Sequence, residues 1–410
     1  MRPLPGDRGA FPPPSAAEPA PRRGRVSRLR VLHLNTEPTW RGGEQQVLYL
    51  LDGLAARGHP TWIACQPGSP MAERAGARGH EVIELRMRGE VDAPAMWRLA
   101  RLARRLRVDI VHAHTSHAHT LGAVAVRMIR AHARPLLVVA RRVDFSIYRR
   151  SFFGLNGLKY KHGVDCYVTV SEAIRRVLEA DGVPPEKIRC VHSGIDVARI
   201  DEAPQRSEAL RAELDVPSGH ALVGNVAHMA DHKGQRYLLD AVPRVLAERP
   251  ECTFVIVGDG ELRATLEDQA ERLGVRERVR FPGFRRDVPA LLKAMDLFVM
   301  PSHMEGLGTS VLDAMAAGVP VVGTEAGGIP ESVVHEETGL LCPVRDGEAL
   351  ARAILRMLGD PELAARCARN ARAKVRAEFS TDAMVEGTLS VYADLLARAG
   401  RRPAAAGADA

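Results

Sequence analysis

The sequence predicts an α/β protein with two parallel sheets, each covered by helices on both faces. Short apolar runs typical of buried strands alternate with helical segments from residue 29 onward, and the alternation restarts after residues 194–196. Each half then contains about 170–190 residues, the usual size of one domain. Because open α/β sheets bind ligands beyond the carboxyl ends of their strands, we expect a ligand site in the cleft between two facing domains.

The first half alternates strands with helices. A Gly-rich loop at residues 40–45 opens a helix that ends near residue 57, and residues 92–106 form another helix with apolar positions at helical spacing. The predicted strands are 29–34, 61–65, 81–85, 109–112, 136–140, 166–170 and 188–192.

The second half repeats the pattern. Strands are predicted at 221–227, 252–257, 279–281 and 297–300, and the alternation continues through segments 319–324, 328–334 and 340–344. Helices are predicted at 234–248, 288–295, 347–358, 361–379 and 381–397, with one more that ends at residue 273. The last helix is long enough to cross back onto the first domain.

Composition and charge exclude several classes of protein. No apolar run approaches the ~20 residues of a membrane-spanning helix, and the first 30 residues lack the apolar core of a secretory signal. The six cysteines have no CxxC spacing, which predicts reduced and mostly buried thiols in a cytosolic protein. Of the net charge of +7, residues 1–30 carry +5, so the basic excess lies mainly in a Pro- and Ala-rich tail. That tail is able to contact anionic lipid or nucleic acid, but solvated extensions are commoner, and we predict no nucleic-acid partner.

The segment 302–328 contains the strongest candidate site. Glu305 precedes a Gly-rich turn, and a helix is predicted to begin near Thr309, so its free N–H groups and positive dipole end would face whatever lies beside Glu305. Asp313 is expected in the first turn of this helix, where a carboxylate suits the dipole. Two interpretations stay open from the pattern alone: a phosphate-and-sugar pocket, or a well-capped helix of any α/β protein.

The second half of the sequence closely resembles the retaining glycosyltransferases of family 4, which have the GT-B fold. The first half resembles them more loosely, through Gly42-Gly43 and through His112-Ala113-His114 at a strand end. The matching motifs of the second half are Gly194-Ile195-Asp196, Lys233-Gly234, Val257-Gly258-Asp259-Gly260, Phe281-Pro282-Gly283, 296–301, Glu305-Gly306-Leu307-Gly308, 314–320 and 327–331.

The resemblance implies a division into two facing Rossmann-like domains with a cleft between them. Residues 29–195 would form the acceptor-binding domain and residues 196–380 the nucleotide-sugar-binding domain. Residues 381–398 would be a helix that packs back on the first domain, between disordered tails at 1–28 and 399–410.

The resemblance also implies a role for individual residues. Glu305 would lie by the donor sugar and the reacting centre, and Asp313, eight positions later and one methylene shorter than the usual Glu, would bind the ribose. The expected catalytic residues are Glu305 and His114; the expected diphosphate ligands are Lys233, His228, Gly308, Thr309, Gly42 and Gly43; and Gly258, Gly260, Arg285 and Asp287 are expected near the nucleobase. No cofactor and no metal are expected, since the nucleotide sugar is a substrate.

His228 is the largest departure from the family pattern, which has an arginine five residues before the lysine. A neutral histidine, with an ordinary pKa of about 6.5, offers one donor where a guanidinium offers a fork. A neighbouring phosphate would favour its protonated form. The alternative is a loop histidine without a ligand.

Two further patterns have competing interpretations. The histidines at 112, 114, 117 and 119 have a spacing compatible with a metal site, but no carboxylate or cysteine lies near them in sequence, and we predict no metal site.

Arginines at 98, 101, 104 and 105 line an amphipathic helix, and Arg141, Arg142, Arg149, Arg150, Lys159 and Lys161 add charge in the same half. Such a surface is typical of contact with an anionic membrane or of an ordinary solvated face.

The sequence therefore predicts a metal-independent, retaining glycosyltransferase that uses a nucleotide-diphosphate sugar and a hydroxyl acceptor. A lipid-linked or cell-envelope glycan is one candidate acceptor, and the expected location is the cytoplasm or the inner face of the membrane. The alternatives are a sugar-nucleotide epimerase of the same architecture and a catalytically inactive nucleotide-sugar-binding protein. A dehydrogenase is excluded because residues 258–261 lack the full GxGxxG fingerprint.

Overall fold

The structure is a computed structural model that describes residues 28–40, 42–142, 163–205 and 207–401. It contains one sheet of seven strands and one of six, and every strand pair in the described ranges is parallel. The prediction of two parallel, helix-covered sheets is confirmed. Most of the two predicted tails lies outside the described ranges.

The first sheet has the strand order β3-β2-β1-β4-β5-β6-β7. Its strands are β1 (Val31–Leu34), β2 (Thr61–Cys65), β3 (Glu81–Glu84), β4 (Ile110–Ala113), β5 (Leu136–Arg141), β6 (Cys166–Thr169) and β7 (Ile188–Cys190). The described helices of this domain are α1 (Gly42–Ala56), α2 (Pro70–Ala77), α3 (Ala93–Arg105), α4 (Ser116–Arg127) and α5 (Glu172–Ala180).

The second sheet has the strand order β10-β9-β8-β11-β12-β13. Its strands are β8 (Ala221–Val226), β9 (Cys252–Val257), β10 (Val279–Gly283), β11 (Leu297–Met300), β12 (Val321–Thr324) and β13 (Leu340–Cys342). The helices along this half are α6 (Val197–Glu202), α7 (Glu208–Glu213), α8 (Gln235–Glu248), α9 (Arg263–Arg272), α10 (Val288–Ala294), α11 (Thr309–Ala317), α12 (Ile329–Ser332), α13 (Gly347–Gly359), α14 (Pro361–Glu378) and α15 (Thr381–Arg398).

Burial on both faces explains why these strands are apolar throughout. All six residues of β9 are buried, as expected of a parallel strand covered by helices on either side. The predicted strands match the observed ones to within a few residues. Five of the six cysteines are buried and the sixth is partly buried, and none forms a disulfide, which confirms the prediction of free thiols.

The segment 328–334, whose type the sequence left open, contains the single-turn helix α12, because Pro330 at the second helical position favours a helix start. One detail of the predicted pattern is wrong. Asp313 does not lie in the first turn of α11. That helix begins at Thr309, so Asp313 is its fifth residue and belongs to the second turn.

The long C-terminal helix α15 packs back on the first domain, as predicted. Val385 lies against Gly53 of α1, where a Cβ atom added to the glycine would be 2.4 Å from a Val385 methyl. The Tyr392 hydroxyl, which is fully buried, lies 2.7 Å from Nδ1 of His112 on β4. None of the described helices is long and apolar enough to cross a membrane.

Glu331 of α12 joins the two domains through the amino end of α5. Its carboxylate accepts hydrogen bonds from the backbone N–H groups of Glu172 and Ala173, both at 2.9 Å, and lies 3.0 Å from Nε2 of His192. A carboxylate at a helix N-terminus satisfies free N–H groups and suits the helix dipole. Burial alone would raise the pKa of Glu331, but these hydrogen bonds hold the pKa below its ordinary value.

We predict that Glu331→Gln destabilises the fold by about 1–2 kcal/mol at neutral pH, because an amide replaces a charged acceptor at the helix end. Since the pKa of Glu331 is lowered on folding, its stabilisation is present above the unfolded value of about 4.3 and is lost as pH falls through the folded value. Urea unfolding of both proteins at about pH 7 and about pH 3 measures the difference. Glu325→Gln, at an exposed position, is the matched control. The same difference in free energy of unfolding between Glu331→Gln and the unaltered protein at both pH values would contradict the role given to the Glu331 carboxylate.

Candidate functional site

Three of the predicted site residues follow strands at the points where the strand order of each sheet reverses. In the second sheet this point lies between β8 and β11, and in the first sheet between β1 and β4. Open α/β sheets form a ligand crevice at this point, beyond the carboxyl ends of the strands. Lys233 follows β8, Glu305 follows β11 and His114 follows β4.

An ion pair between Lys233 and Glu305 lies at the reversal point of the second sheet. The Lys233 Nζ atom is 2.6 Å from Oε2 of Glu305, and both side chains are largely withdrawn from solvent. Lys233 ends a 3-10 turn, Asp231–Lys233, that follows β8. The Ser302 hydroxyl lies 3.3 Å from the same carboxylate oxygen. The structure thus joins the residue expected at the sugar to the one expected at the diphosphate.

The backbone around Glu305 is fixed by Gly327. Its φ is +50°, and an added Cβ would lie 1.8 Å from the Glu305 carbonyl oxygen, so a side chain is excluded there. The neighbouring Gly328 donates its N–H to the same carbonyl at 3.1 Å. The loop after β12 therefore holds the loop that carries Glu305.

The amino end of α11 adjoins this ion pair. Gly308 is the N-cap residue and Thr309 the first helical residue, as predicted. A Cβ added to Gly308 would lie 3.5 Å from Cγ of Glu305. Because the first N–H groups of a helix have no acceptor within the helix, this end can bind an anion beside Lys233.

On the facing domain, His114 is buried and its ring nitrogens are both engaged. Its Nε2 lies 2.9 Å from Nδ1 of His33, and its Nδ1 lies 3.3 Å from Nη2 of Arg142. Burial lowers the pKa of His114 well below its usual value, with His112 and Arg142 adding to the effect, and burial lowers the pKa of His33 to about 3. These rings are therefore neutral at pH 7. Contact of His114 with a donor sugar stays a prediction, and it requires His114 to exchange one of these hydrogen bonds.

Sequence reasoning missed His33, whose place beside His112 and His114 follows from the strand register of the structure. His33 and His112 are register partners on neighbouring parallel strands, and strand periodicity places His112 and His114 on one face. The alternation within 31–34 shows only that His33 is on the opposite face from its two leucine neighbours.

Gly42 and Gly43 open α1, as predicted, at the carboxyl edge of the first sheet. A Cβ added to Gly43 would lie 3.6 Å from Cδ of Arg142. Their predicted contact with the donor phosphate is untested, and the structure does not bring them into contact with the Lys233–Glu305 pair.

His228 lies at the outer side of the site and is mostly exposed. Its Nε2 is 3.2 Å from a carboxylate oxygen of Glu261, also exposed. The predicted nucleobase residues lie nearby: Gly258 donates its N–H to the carbonyl of Gly283 at 2.9 Å, and Gly260 follows in the same loop.

Arg285 and Asp287, also predicted near the nucleobase, bind each other. Two guanidinium nitrogens donate to the two carboxylate oxygens of Asp287 at 2.9 and 2.7 Å, and a third pairs with Glu213. The hydrogen bonds that Arg285 donates to Asp287 and Glu213 raise the pKa of Arg285, and those to Asp287 lower the pKa of Asp287. The guanidinium is therefore held on protein carboxylates.

Asp313 is partly buried in the second turn of α11, and no hydrogen bond joins it to the Lys233–Glu305 pair. Burial raises the pKa of its carboxyl to about 7, Arg199 opposes the rise, and Asp196 adds to it. At neutral pH both protonation states are populated, so the group can donate or accept a hydrogen bond. Its predicted role at the ribose is not tested by this geometry.

Two clusters have ligand types suited to a metal ion. His33, His112 and His114 have ring nitrogens within 4.8 Å of one another, and Cys190, His192 and Glu331 form the second group. In the first, two of the nitrogens already share a hydrogen bond and a guanidinium adjoins His114, which opposes a second cation. In the second, Glu331 is engaged with the helix α5. Neither cluster carries a metal proposal.

Two family models match the two halves of the chain. The model described as "Glycosyltransferase Family 4" matches residues 40–199, and the one described as "Glycosyl transferases group 1" matches residues 206–374.

Individual relatives agree with these matches. The chain is 29% identical over 304 residues to an uncharacterized glycosyltransferase of Methanocaldococcus jannaschii, covering 72% of this chain and 77% of that protein. It is 32% identical over 236 residues to the lipopolysaccharide core biosynthesis glycosyltransferase LpsE of Rhizobium meliloti, covering 58% of this chain and 66% of that protein.

Among solved structures, Anabaena HepE in complex with UDP superposes with a TM-score of 0.79 at 24% identity. The superposition covers 89% of this chain and all of that one, and it shows the GT-B fold. With both halves matched in family order and the fold shared, the chain belongs to the glycosyltransferases of family 4.

Proposed function

We propose that the protein is a retaining, metal-independent glycosyltransferase that moves a sugar from a nucleotide-diphosphate donor to a hydroxyl acceptor. The observation that carries this proposal is the Lys233–Glu305 ion pair beside the amino end of α11. It combines a cation, free helix N–H groups and a carboxylate at the reversal point of the sheet, which is the chemistry needed to bind a sugar diphosphate.

Groups on the second domain supply part of the positive charge that the donor's diphosphate requires. Lys233 and the amino end of α11 neutralise charge that develops on the departing diphosphate. Their preorganisation lowers the barrier without a metal ion acting as the Lewis acid. The likeness to a structure solved with UDP supports a nucleotide-diphosphate donor.

Glu305 holds the sugar and stabilises the positive character that develops at the anomeric carbon. The glycosidic bond to the phosphate breaks and the acceptor oxygen attacks from the same face, which retains the anomeric configuration. The departing phosphate oxygen takes the acceptor's proton. Asp313 binds the ribose hydroxyls, and its raised pKa allows it to donate as well as accept.

The alternative functions receive less support. Neither the comparisons nor the described residues favour the epimerase. A catalytically inactive binding protein would keep donor affinity without turnover, so measurement of turnover separates it from the transferase.

We further propose contact with an anionic membrane through α3 and α4. The outer side of these helices exposes Trp97 and Met128, with 53% and 51% of their surfaces accessible. We call this surface the basic face; its exposed arginines are Arg98, Arg101, Arg104, Arg105, Arg127 and Arg130. An apolar anchor among arginines suits the inner face of a membrane, and it supports a lipid-linked or cell-envelope acceptor, as the name of the Rhizobium relative does.

Two residues that the sequence assigned to this surface do not belong to it. Arg141 is buried at the end of the interior strand β5, and Arg142 is directed toward His114. Arg149, Arg150, Lys159 and Lys161 lie outside the described residues.

We predict that the purified protein releases nucleotide diphosphate from one member of a panel of UDP-, GDP-, ADP- and TDP-sugars. Release is expected without an acceptor, as slow hydrolysis, and is expected to be unaffected by EDTA. A coupled assay for the free diphosphate measures it, and NMR of the anomeric proton reports the configuration. Failure to bind or turn over any donor would refute the proposal.

We predict that Glu305→Gln lowers kcat by about 10²–10³-fold, because the charge that stabilises the anomeric carbon is removed. Diphosphate affinity is expected to hold or rise, since Lys233 loses its internal partner. Kinetics and calorimetry on the same preparation separate the two effects. Glu325→Gln is the matched control, and wild-type turnover by Glu305→Gln would remove Glu305 from the mechanism.

We predict that the protein binds vesicles of phosphatidylcholine and phosphatidylglycerol (about 7:3) and not phosphatidylcholine alone. Replacing Arg101 and Arg104 by Gln is expected to weaken binding by about 30-fold, at about 1 kcal/mol for each arginine near the surface. Vesicle sedimentation measures the affinity. The control replaces Arg366 and Arg369, exposed on α14, and equal losses from both pairs would rule out a specific basic face.

A further inference from the structure

Arg142 occupies the seam between the two domains. On one side, its Cδ lies 3.6 Å from where a Cβ of Gly43 would be, at the amino end of α1. On the other side, its carbonyl oxygen lies 2.6 Å from where a Cβ of Gly306 would be, in the turn that follows Glu305. The residue therefore adjoins the candidate site from the first domain.

The guanidinium of Arg142 has hydrogen-bonding capacity to spare. Nη1 donates to the carbonyl of His114 and Nη2 to its Nδ1, both at 3.3 Å, while the buried Nε–H has no partner among the described residues. Within the same ranges no carboxylate forms an ion pair with it, although Glu44 contributes a favourable charge interaction. Burial lowers the pKa of Arg142 to about 10, so it stays charged at pH 7.

The hydrogen bonds also fix the proton positions of the neighbouring imidazoles. A guanidinium only donates, so Nδ1 of His114 accepts and its Nε2 carries the proton. That proton is donated to Nδ1 of His33, 2.9 Å away. His114 thus orients the guanidinium of Arg142. Among the described residues at this position, Arg142 keeps N–H donors that no protein group accepts.

Charge balance in the second domain leaves room for another cation. A bound diphosphate carries two to three negative charges at neutral pH, while Lys233 is paired with Glu305 and His228 with Glu261. The amino end of α11 supplies only about half a positive charge. The arginine expected from the family pattern at position 228 is absent, so Lys233 is the one cation that we assign to the diphosphate from the second domain.

We propose that Arg142 is this second cation, and that it binds the terminal phosphate of the donor's diphosphate from the first domain. The inference rests on the proposed function. It assigns to the acceptor-side domain a share of donor binding, so that donor affinity depends on the two domains being held together. A guanidinium is suited to the task because it binds two phosphate oxygens at once.

The test compares nucleoside diphosphate with monophosphate by calorimetry, using UDP and UMP, and GDP and GMP. Arg142→Gln is expected to weaken diphosphate binding about tenfold or more and monophosphate binding less than twofold. Arg142→Lys, which keeps the charge without the fork, should fall between. Arg176→Gln, an exposed arginine on α5, is the control and should change neither.

A rescue variant distinguishes a binding role from a structural one. Adding His228→Arg to Arg142→Gln is expected to restore about tenfold in diphosphate affinity, and to gain less in the unaltered protein, where the diphosphate already has a second cation. Equal losses for mono- and diphosphate, no loss, or a loss confined to the acceptor's KM would overturn the inference while leaving the proposed function intact. If the unaltered protein binds neither diphosphate, the proposed function and this inference both fail.

Discussion

The ion pair between Lys233 and Glu305 is the interaction on which the rest of the site depends. Its two residues come from loops that follow neighbouring strands at the reversal point of the second sheet, and each is largely withdrawn from solvent. Breaking such a pair by removing one partner leaves a poorly hydrated charge, which is costly. The surrounding backbone keeps the two charges together. The loop after β12 fixes the Glu305 carbonyl, and the amino end of α11 beside it has N–H groups that can bind an anion. A diphosphate can therefore replace the carboxylate as the partner of Lys233 without new desolvation of the lysine.

The second constraint is the contact between the domains. Glu331 caps a helix of the opposite domain, and α15 packs on the first domain with Tyr392 against His112. Within the first domain, Gln46 exchanges hydrogen bonds with both backbone groups of Gly194, two residues before the second domain begins. The contact of α15 is also apolar, because Val385, Val391 and Leu396 are buried in one cluster with Val31, Leu50 and Leu54 of the first domain. Polar contacts thus define the orientation of the domains, and apolar burial of α15 adds stability.

The fold could be predicted almost completely, whereas the site could be predicted only in part. Strands such as 61–65, 252–257 and 297–300 match to the residue, since a buried parallel strand has an unmistakable apolar pattern. The contact of Lys233 with Glu305 was not predicted, although the observed strand order explains it, because β8 and β11 are neighbours and the loops after them share one edge. The contact between His33 and His114 was not predicted either, since it joins residues 81 positions apart through side-chain geometry that no local pattern encodes. Arg142 was mistaken for a surface charge because its position depends on packing against His114 and Gly43, which are distant from it in sequence.

Gly306 permits a close approach of the two domains beside Glu305. A methyl group there would lie 2.6 Å from the Arg142 carbonyl oxygen, a backbone atom that cannot rotate away. Only glycine, which has no Cβ atom, fits at this position without a steric clash. Alanine at this position would force the Glu305 loop and the Arg142 backbone apart. A Cβ at Gly328 would likewise lie 3.0 Å from Cβ of Ser171, so glycine is required at two neighbouring points where the second domain meets the first.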